Sequence, residues 1–143
     1  MSTDMNDQYN LQRFVDAQKA DFEGAYAELR DGCKRGHWMW YIFPQINGLG
    51  HSELSRKFAI SSREEAREYM KHPILGRRLE ECTQLVTLVD GRTAEQIFGY
   101  TDAKKFHSSM TLFASVMSDN SIFNEALRKY FGGEFDKLTL ERL

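Results

Sequence analysis

The chain has no long apolar stretch. Its longest unbroken apolar run is the six residues 38–43 in a chain of 143 residues, whereas a membrane-spanning helix needs about 20. The first ten residues are polar and lack the apolar segment that follows a basic start in a signal peptide. We therefore expect neither a membrane segment nor a secretion signal.

Cysteine is scarce, and histidine lacks metal-binding spacing. Cys33 and Cys82 are the two cysteines, and they lie too far apart in sequence to form a metal-ligand pair. Free thiols indicate a reducing compartment, so a cytoplasmic protein is expected. The four histidines show no HExxH-type spacing. No metal site and no cofactor are therefore predicted.

No surplus of basic charge is present. Lysine and arginine number 19 against 21 acidic residues, for a net charge of −2, which argues against nucleic acid as a partner. Apolar residues make up 41% and charged residues 28% of the chain, as in globular domains. Neither an internal repeat nor a linker is visible. We predict a flexible N-terminus at residues 1–9 and a single domain at residues 10–143.

Helical periodicity recurs along most of the chain. Apolar residues step by three and four in several segments, with helix-capping and helix-ending residues between them. Asn10 is a predicted N-cap, Gly32 a helix end, and Thr93 with Gln96 a capping box. Gly24, inside the first helix, marks a potential close approach of another helix. The pattern predicts an all-α, compact single multihelical domain of about six or seven helices.

Segment 37–43 is the exception to this clear periodicity. It contains both tryptophans and shows no alternation of apolar and polar residues, so a short buried helix and a buried strand both fit. In a helix, Trp38 and Trp40 would lie about 200° apart, with one facing the core and the other a cleft.

The same region carries the first group of candidate ligand-binding residues. Indole rings stack on planar ligands, and basic side chains bind phosphates or carboxylates. The candidates are Lys34, Arg35, His37, Trp38, Trp40 and Gln45. The alternative is a buried aromatic plug with a basic rim.

A second group lies on the predicted helix near residues 102–117. Lys104, Ser108 and Thr111 share one helical face and could bind an anion. Short hydroxyl side chains in mid-helix are typical of close helix packing or of a lined pocket. Asp102 is the candidate catalytic carboxylate, and a helix N-cap is the alternative role for it. A solvated helix face is the alternative for the whole group.

These motifs resemble a known bacterial family. The matching stretches are residues 34–45 and 48–50, then 65–79 with gaps, and finally 97–99, Asp102, Lys104 and 108–113. Together they resemble the family called domain of unknown function 1810, whose superfamily is typified by a mycobacterial protein. The resemblance implies a compact multihelical fold and supports a helical segment 37–43, but it implies no established activity.

A looser likeness concerns the chemistry. The helical layout with tryptophan, lysine and aspartate near a pocket resembles the NADAR superfamily, which is linked to ADP-ribose and N-glycosidic chemistry. By analogy, the chain would bind a small phosphorylated or nucleotide-like ligand between segments 34–45 and 102–111, with Asp102 serving N-glycosidic hydrolysis. The alternative is a non-enzymatic module that binds a protein partner through its aromatic segment 37–45.

Overall fold

The computed structural model describes residues 7–143, and the secondary structure of these residues is all-α. Nine helices cover this part of the chain, against the six or seven predicted, and four of the nine are only four or five residues long. In chain order they are α1 (Gln12–Asp31), α2 (Met39–Ile42), α3 (Glu53–Lys57), α4 (Arg63–Lys71), α5 (Leu75–Thr87), α6 (Ala94–Phe98), α7 (Tyr100–Val116), α8 (Ser121–Phe131) and α9 (Lys137–Glu141).

The start of α1 differs from the prediction. Asn10 has a left-handed backbone with φ of 52°, so it is not the N-cap. The carboxylate of Asp7 instead accepts hydrogen bonds from the backbone N–H groups of Leu11 (2.6 Å) and Gln12 (2.9 Å), which satisfies two donors at the helix start. Of the predicted flexible segment 1–9, residues 1–6 lie outside the described residues.

Other helix boundaries follow the sequence signals. Gly32 ends α1 in the left-handed conformation, with φ of 74°, which glycine adopts without steric cost. Thr93 and Gln96 form the predicted capping box at the start of α6. The hydroxyl of Ser62 accepts a hydrogen bond from the backbone N–H of Glu65 at the start of α4. Local sequence therefore determines where several helices begin and end.

Segment 37–43 is a short helix rather than a strand. Residues 39–42 of the segment form the single turn α2, and the chain then pairs Ile46 with Ile60 in one isolated parallel bridge. Apart from this bridge, residues 7–143 contain no β-structure. Most of the aromatic side chains of the segment are buried, and they join the main hydrophobic core.

Helix α7 lies at the centre of the domain, in contact with α4, α6, α8 and α9. Phe106 on this helix is fully buried, and its ring centroid lies 5.0 Å from that of Phe43 and 4.8 Å from that of Phe98. The rings of Phe43 and Phe106 meet edge to face, an arrangement that aromatic pairs prefer. This packing holds the α2 segment against the first half of α7.

The close approach between helices occurs at Gly76 rather than at Gly24. A Cβ atom placed on Gly24 would have no neighbour within 4 Å, whereas one on Gly76 would lie 2.1 Å from the backbone oxygen of Met70. The missing side chain of Gly76 therefore lets α5 begin directly against the end of α4.

None of the helices within residues 7–143 has the length and apolar character that a membrane span requires.

Candidate functional site

Two of the predicted segments meet at a cluster of charged side chains. Lys34 lies in the loop after α1, and its backbone N–H donates to the carbonyl oxygen of Ile97 (2.8 Å). Its ammonium group lies 2.7 Å from the Asp102 carboxylate, which is also 3.1 Å from the ammonium of Lys105. We call Lys34, Asp102 and Lys105 the lysine–carboxylate cluster. It joins the loop before α2 to the first turns of α7.

The cluster is largely removed from solvent. The exposed fractions of the side chains are 7% for Lys34, 19% for Asp102 and 22% for Lys105. Burial by itself would raise the pKa of Asp102. Hydrogen bonds from both lysines and their positive charges outweigh that effect and hold the pKa of Asp102 below its usual value. Asp102 is therefore ionised at neutral pH, which suits a positioning role and excludes it as a general acid there.

The two tryptophans flank this cluster in different environments. Trp38 is only 3% exposed, and its indole N–H donates to Glu28 (3.0 Å). Trp40 is partly exposed, and the ammonium of Lys105 lies 4.3 Å from the centre of one of its rings. The ammonium of Lys34 lies 5.0 Å from the Trp38 ring. Trp40 is therefore the tryptophan that a ligand at the surface of the cluster would meet.

Glu28 organises the loop that carries Lys34. One oxygen of its carboxylate accepts hydrogen bonds from the backbone N–H groups of Arg35 (2.8 Å) and Gly36 (2.9 Å), as well as from Trp38. Burial would raise the pKa of Glu28, but these hydrogen bonds and the charge of Arg35 lower it. Neither Glu28 nor Lys105 was among the predicted site residues. For Lys105, its position three residues after Asp102 on a helix was the available signal.

The remaining candidates of the first group are more scattered. The side chains of Arg35 and His37 are exposed on the loop before α2. Gln45 is buried, and its side-chain nitrogen has no hydrogen-bond partner among residues 7–143. A ligand-binding role for these three residues stays a prediction.

Ser108 and Thr111 hold the C-terminal helix in place. The hydroxyl of Ser108 donates to the Asp136 carboxylate (2.8 Å), and the hydroxyl oxygen of Thr111 accepts from the Asp136 backbone N–H (2.9 Å). Asp136 directly precedes α9. Both side chains thus connect α7 to the residue that precedes α9. This geometry lends no support to their predicted role in lining a ligand cleft.

Replacing Thr111 with valine tests this docking role. Valine has nearly the same shape but cannot accept a hydrogen bond, so the Asp136 N–H loses its partner in a partly buried position. We expect the free energy of unfolding to fall by about 1–2 kcal/mol, measured by urea denaturation. Amide hydrogen exchange should accelerate in residues 137–141. Unchanged exchange there would show that Thr111 does not hold α9.

Lys104 lies away from the lysine–carboxylate cluster. Residues two positions apart on an α-helix point about 200° apart, so Lys104 and Asp102 project from opposite sides of α7. The ammonium of Lys104 lies 4.3 Å from the centre of the Tyr100 ring. The structure therefore divides the predicted cleft into two regions on different sides of one helix.

The fold and this site define the protein as an all-helical domain in which a partly buried lysine–carboxylate cluster links the loop after α1 to α7. A family model described as "Protein of unknown function (DUF1810)" matches residues 8–143. The chain belongs to this family, which confirms the resemblance seen in the sequence.

A solved structure with the same fold supports this assignment. The conserved hypothetical protein Rv1873 from Mycobacterium tuberculosis, which has a crystal structure, is 50% identical in sequence to this chain. The match covers 96% of this chain and 98% of that one, with a TM-score of 0.95. No curated protein matches the chain. The comparisons thus establish family and fold but assign no activity.

Proposed function

We propose that the protein binds a small anionic, nucleotide-like ligand at the lysine–carboxylate cluster, with Lys105 and Trp40 as its main contacts. The observation that carries this proposal is the unused hydrogen-bonding capacity of the Lys105 ammonium. It has three N–H donors, and Asp102 is its one hydrogen-bond acceptor among residues 7–143. Two donors therefore remain beside a partly exposed indole.

The charge balance of the cluster favours an anion. Two ammonium groups share one carboxylate, so one positive charge is left over. Lys34 is already bonded to Gly36 and Asp102, which makes it a positioning residue. Lys105 has both the free donors and the greater exposure. Charge-assisted hydrogen bonds from a partly buried ammonium are stronger than those between neutral groups.

Trp40 supplies the surface for a ring. Planar bases stack on indole rings with little dependence on their identity, and the nearby Lys105 places a positive charge over the same side chain. Most other aromatic side chains of segment 37–45 are buried in the core. An interaction surface for a protein partner would therefore consist mainly of Trp40 and the exposed His37, which favours the small ligand.

Hydrolysis is not part of the proposal. Cleavage of an N-glycosidic bond needs negative charge facing an oxocarbenium-like centre. Two lysines already neutralise Asp102 in this structure. The geometry supports Asp102 as the group that orients Lys34 and Lys105.

Isothermal titration calorimetry with ADP-ribose, AMP and ribose 5-phosphate as probes tests this function. At least one of these probes should bind the wild type, and Lys105→Gln should weaken that binding by about tenfold because a charge-assisted hydrogen bond is lost. Lys19→Gln removes an exposed lysine from α1 and serves as the matched control. The proposal fails if no probe binds, or if Lys105→Gln and Lys19→Gln bind the probe equally well.

A further inference from the structure

A cleft lies on the opposite side of α7 from the lysine–carboxylate cluster. It is formed between α6, α7 and the end of α8, and its volume is about 330 Å³. The side chains that matter for its chemistry are Glu95, Tyr100, Lys104, His107, Tyr130 and Phe131. Ligand sites in proteins span roughly 300–1,000 Å³. The cleft therefore suits a molecule with one ring rather than a dinucleotide.

The walls of the cleft are aromatic and held in place. The ring of His107 stacks on that of Phe131, with centroids 4.0 Å apart and planes 6° from parallel. The Nε2 atom of His107 lies 2.7 Å from the carbonyl oxygen of Glu134. Because a carbonyl can only accept, this nitrogen donates. Tyr130 donates its hydroxyl hydrogen to the carbonyl oxygen of Val86. His107, Phe131 and Tyr130 are thus fixed in place by contacts within the protein itself.

Opposite charges line the same cleft without neutralising each other. Lys104 and Glu95 both contribute to its surface, yet neither forms a salt bridge with any of residues 7–143. The ammonium of Lys104 instead lies over the ring of Tyr100, which is 62% exposed. A ligand that carries both a carboxylate and an ammonium group offers an oppositely charged partner to each of these side chains.

We propose that this cleft binds a single free amino acid with an aromatic side chain. Lys104 binds the carboxylate of the ligand, Glu95 binds its ammonium group, and the ring rests among Tyr100, His107 and Phe131. This site is independent of the lysine–carboxylate cluster, because Lys104 and Asp102 project from opposite sides of α7.

Three related probes separate the two charge contacts. L-Phenylalanine carries both charges, 3-phenylpropionate lacks the ammonium group, and phenethylamine lacks the carboxylate. In titrations followed by amide NMR spectra, L-phenylalanine should shift the signals of Tyr100, Lys104 and His107. L-Phenylalanine should bind at least about threefold more tightly than either analogue, because each analogue loses one exposed ion pair.

Variants assign each contact to its side chain. Lys104→Gln should weaken L-phenylalanine and 3-phenylpropionate by about threefold but leave phenethylamine unchanged. Glu95→Gln should weaken L-phenylalanine and phenethylamine and leave 3-phenylpropionate unchanged. Lys19→Gln and Glu23→Gln are matched controls on the exposed face of α1, and Lys105→Gln should also bind L-phenylalanine normally.

Three results would overturn the proposal. The first is the absence of any shift with L-phenylalanine. The second is equal binding of 3-phenylpropionate and L-phenylalanine, which would define a site for simple organic anions. The third is a set of shifted amides that lies away from α6 and α7. None of these outcomes depends on whether nucleotide probes bind at Lys105.

Discussion

Replacing Gly76 with alanine is expected to lower the free energy of unfolding by at least about 3 kcal/mol. The new Cβ atom would lie 2.1 Å from the backbone oxygen of Met70 and 2.9 Å from its carbonyl carbon. A flexible side chain can rotate away from such a contact, but backbone atoms at the end of α4 cannot. Helices α4 and α5 would have to separate, and the core between them would lose its packing.

Gly24→Ala is the matched control, and it should have the opposite effect. Gly24 lies in the interior of α1, where a Cβ atom would have nothing within 4 Å. Alanine costs less conformational entropy than glycine in a helix, so this variant should be more stable by about 0.5–1 kcal/mol. The same chemical change at two helical glycines thus gives effects of opposite sign.

Urea denaturation of both variants decides the matter. Domains of this kind have total stabilities of about 5–15 kcal/mol, so the expected loss at Gly76 would be visible as a large fall in the denaturation midpoint. If Gly76→Ala unfolded at the midpoint of the wild type, the close approach of α4 and α5 would not exist in solution.

The second large effect is expected for Asp102→Ala. This change leaves the ammonium of Lys34 without its carboxylate, although the side chain of Lys34 is only 7% exposed. An unpaired buried charge is costly, and we expect a loss of roughly 2–4 kcal/mol in the free energy of unfolding. The loop of residues 33–38 would also lose a contact that holds it to α7.

A second substitution separates this effect from general damage. Lys34→Met removes the charge and keeps a side chain of similar length, so Asp102→Ala combined with Lys34→Met should recover much of the stability lost by Asp102→Ala alone. Additive losses in the double variant would show that Lys34 and Asp102 do not interact.

The effect of Asp102→Ala should also depend on pH in a definite direction. The pKa of Asp102 is lower in the folded chain than its ordinary value, so the carboxylate stabilises the fold above the unfolded value of about 3.9. That contribution disappears as the pH falls through the lower, folded value. The difference in stability between wild type and variant should therefore shrink at about pH 3 relative to about pH 7. A difference that stayed constant or grew in acid would contradict this assignment.

The helices were predictable because their signals are local. The periodic apolar stripes, the capping box of Thr93 and Gln96, and the glycine at position 32 act over a few residues. The failure at Asn10 shows the limit of such signals, since the carboxylate of Asp7, which lies outside the helix, accepts hydrogen bonds from the backbone N–H groups of Leu11 and Gln12. Gly24 and Gly76 look alike in sequence, and only the packing of α4 against α5 distinguishes them.

The candidate site was predictable only in part. The sequence marked Lys34, Trp40 and Asp102, and these three residues do lie around one cluster. Lys105 was missed because it follows Lys104 directly, and residue type alone cannot show which of two adjacent lysines faces Trp40. The hydroxyls of Ser108 and Thr111 suggested a lined pocket, but their partner is Asp136, far along the chain.

The amino-acid sequence by itself thus determined the all-helical class, several of the helix boundaries and the two segments that carry the charged and aromatic residues of the cluster. It could do so because helix propensity, capping and apolar periodicity depend on neighbours within one or two turns. The tertiary structure decided which charges became paired. Lys34 and Lys105 share Asp102, while Lys104 faces a separate cleft with Glu95. Such pairings depend on how α7 is rotated against the loop after α1, and the packing of the buried Phe106 against Phe43 helps to fix that rotation.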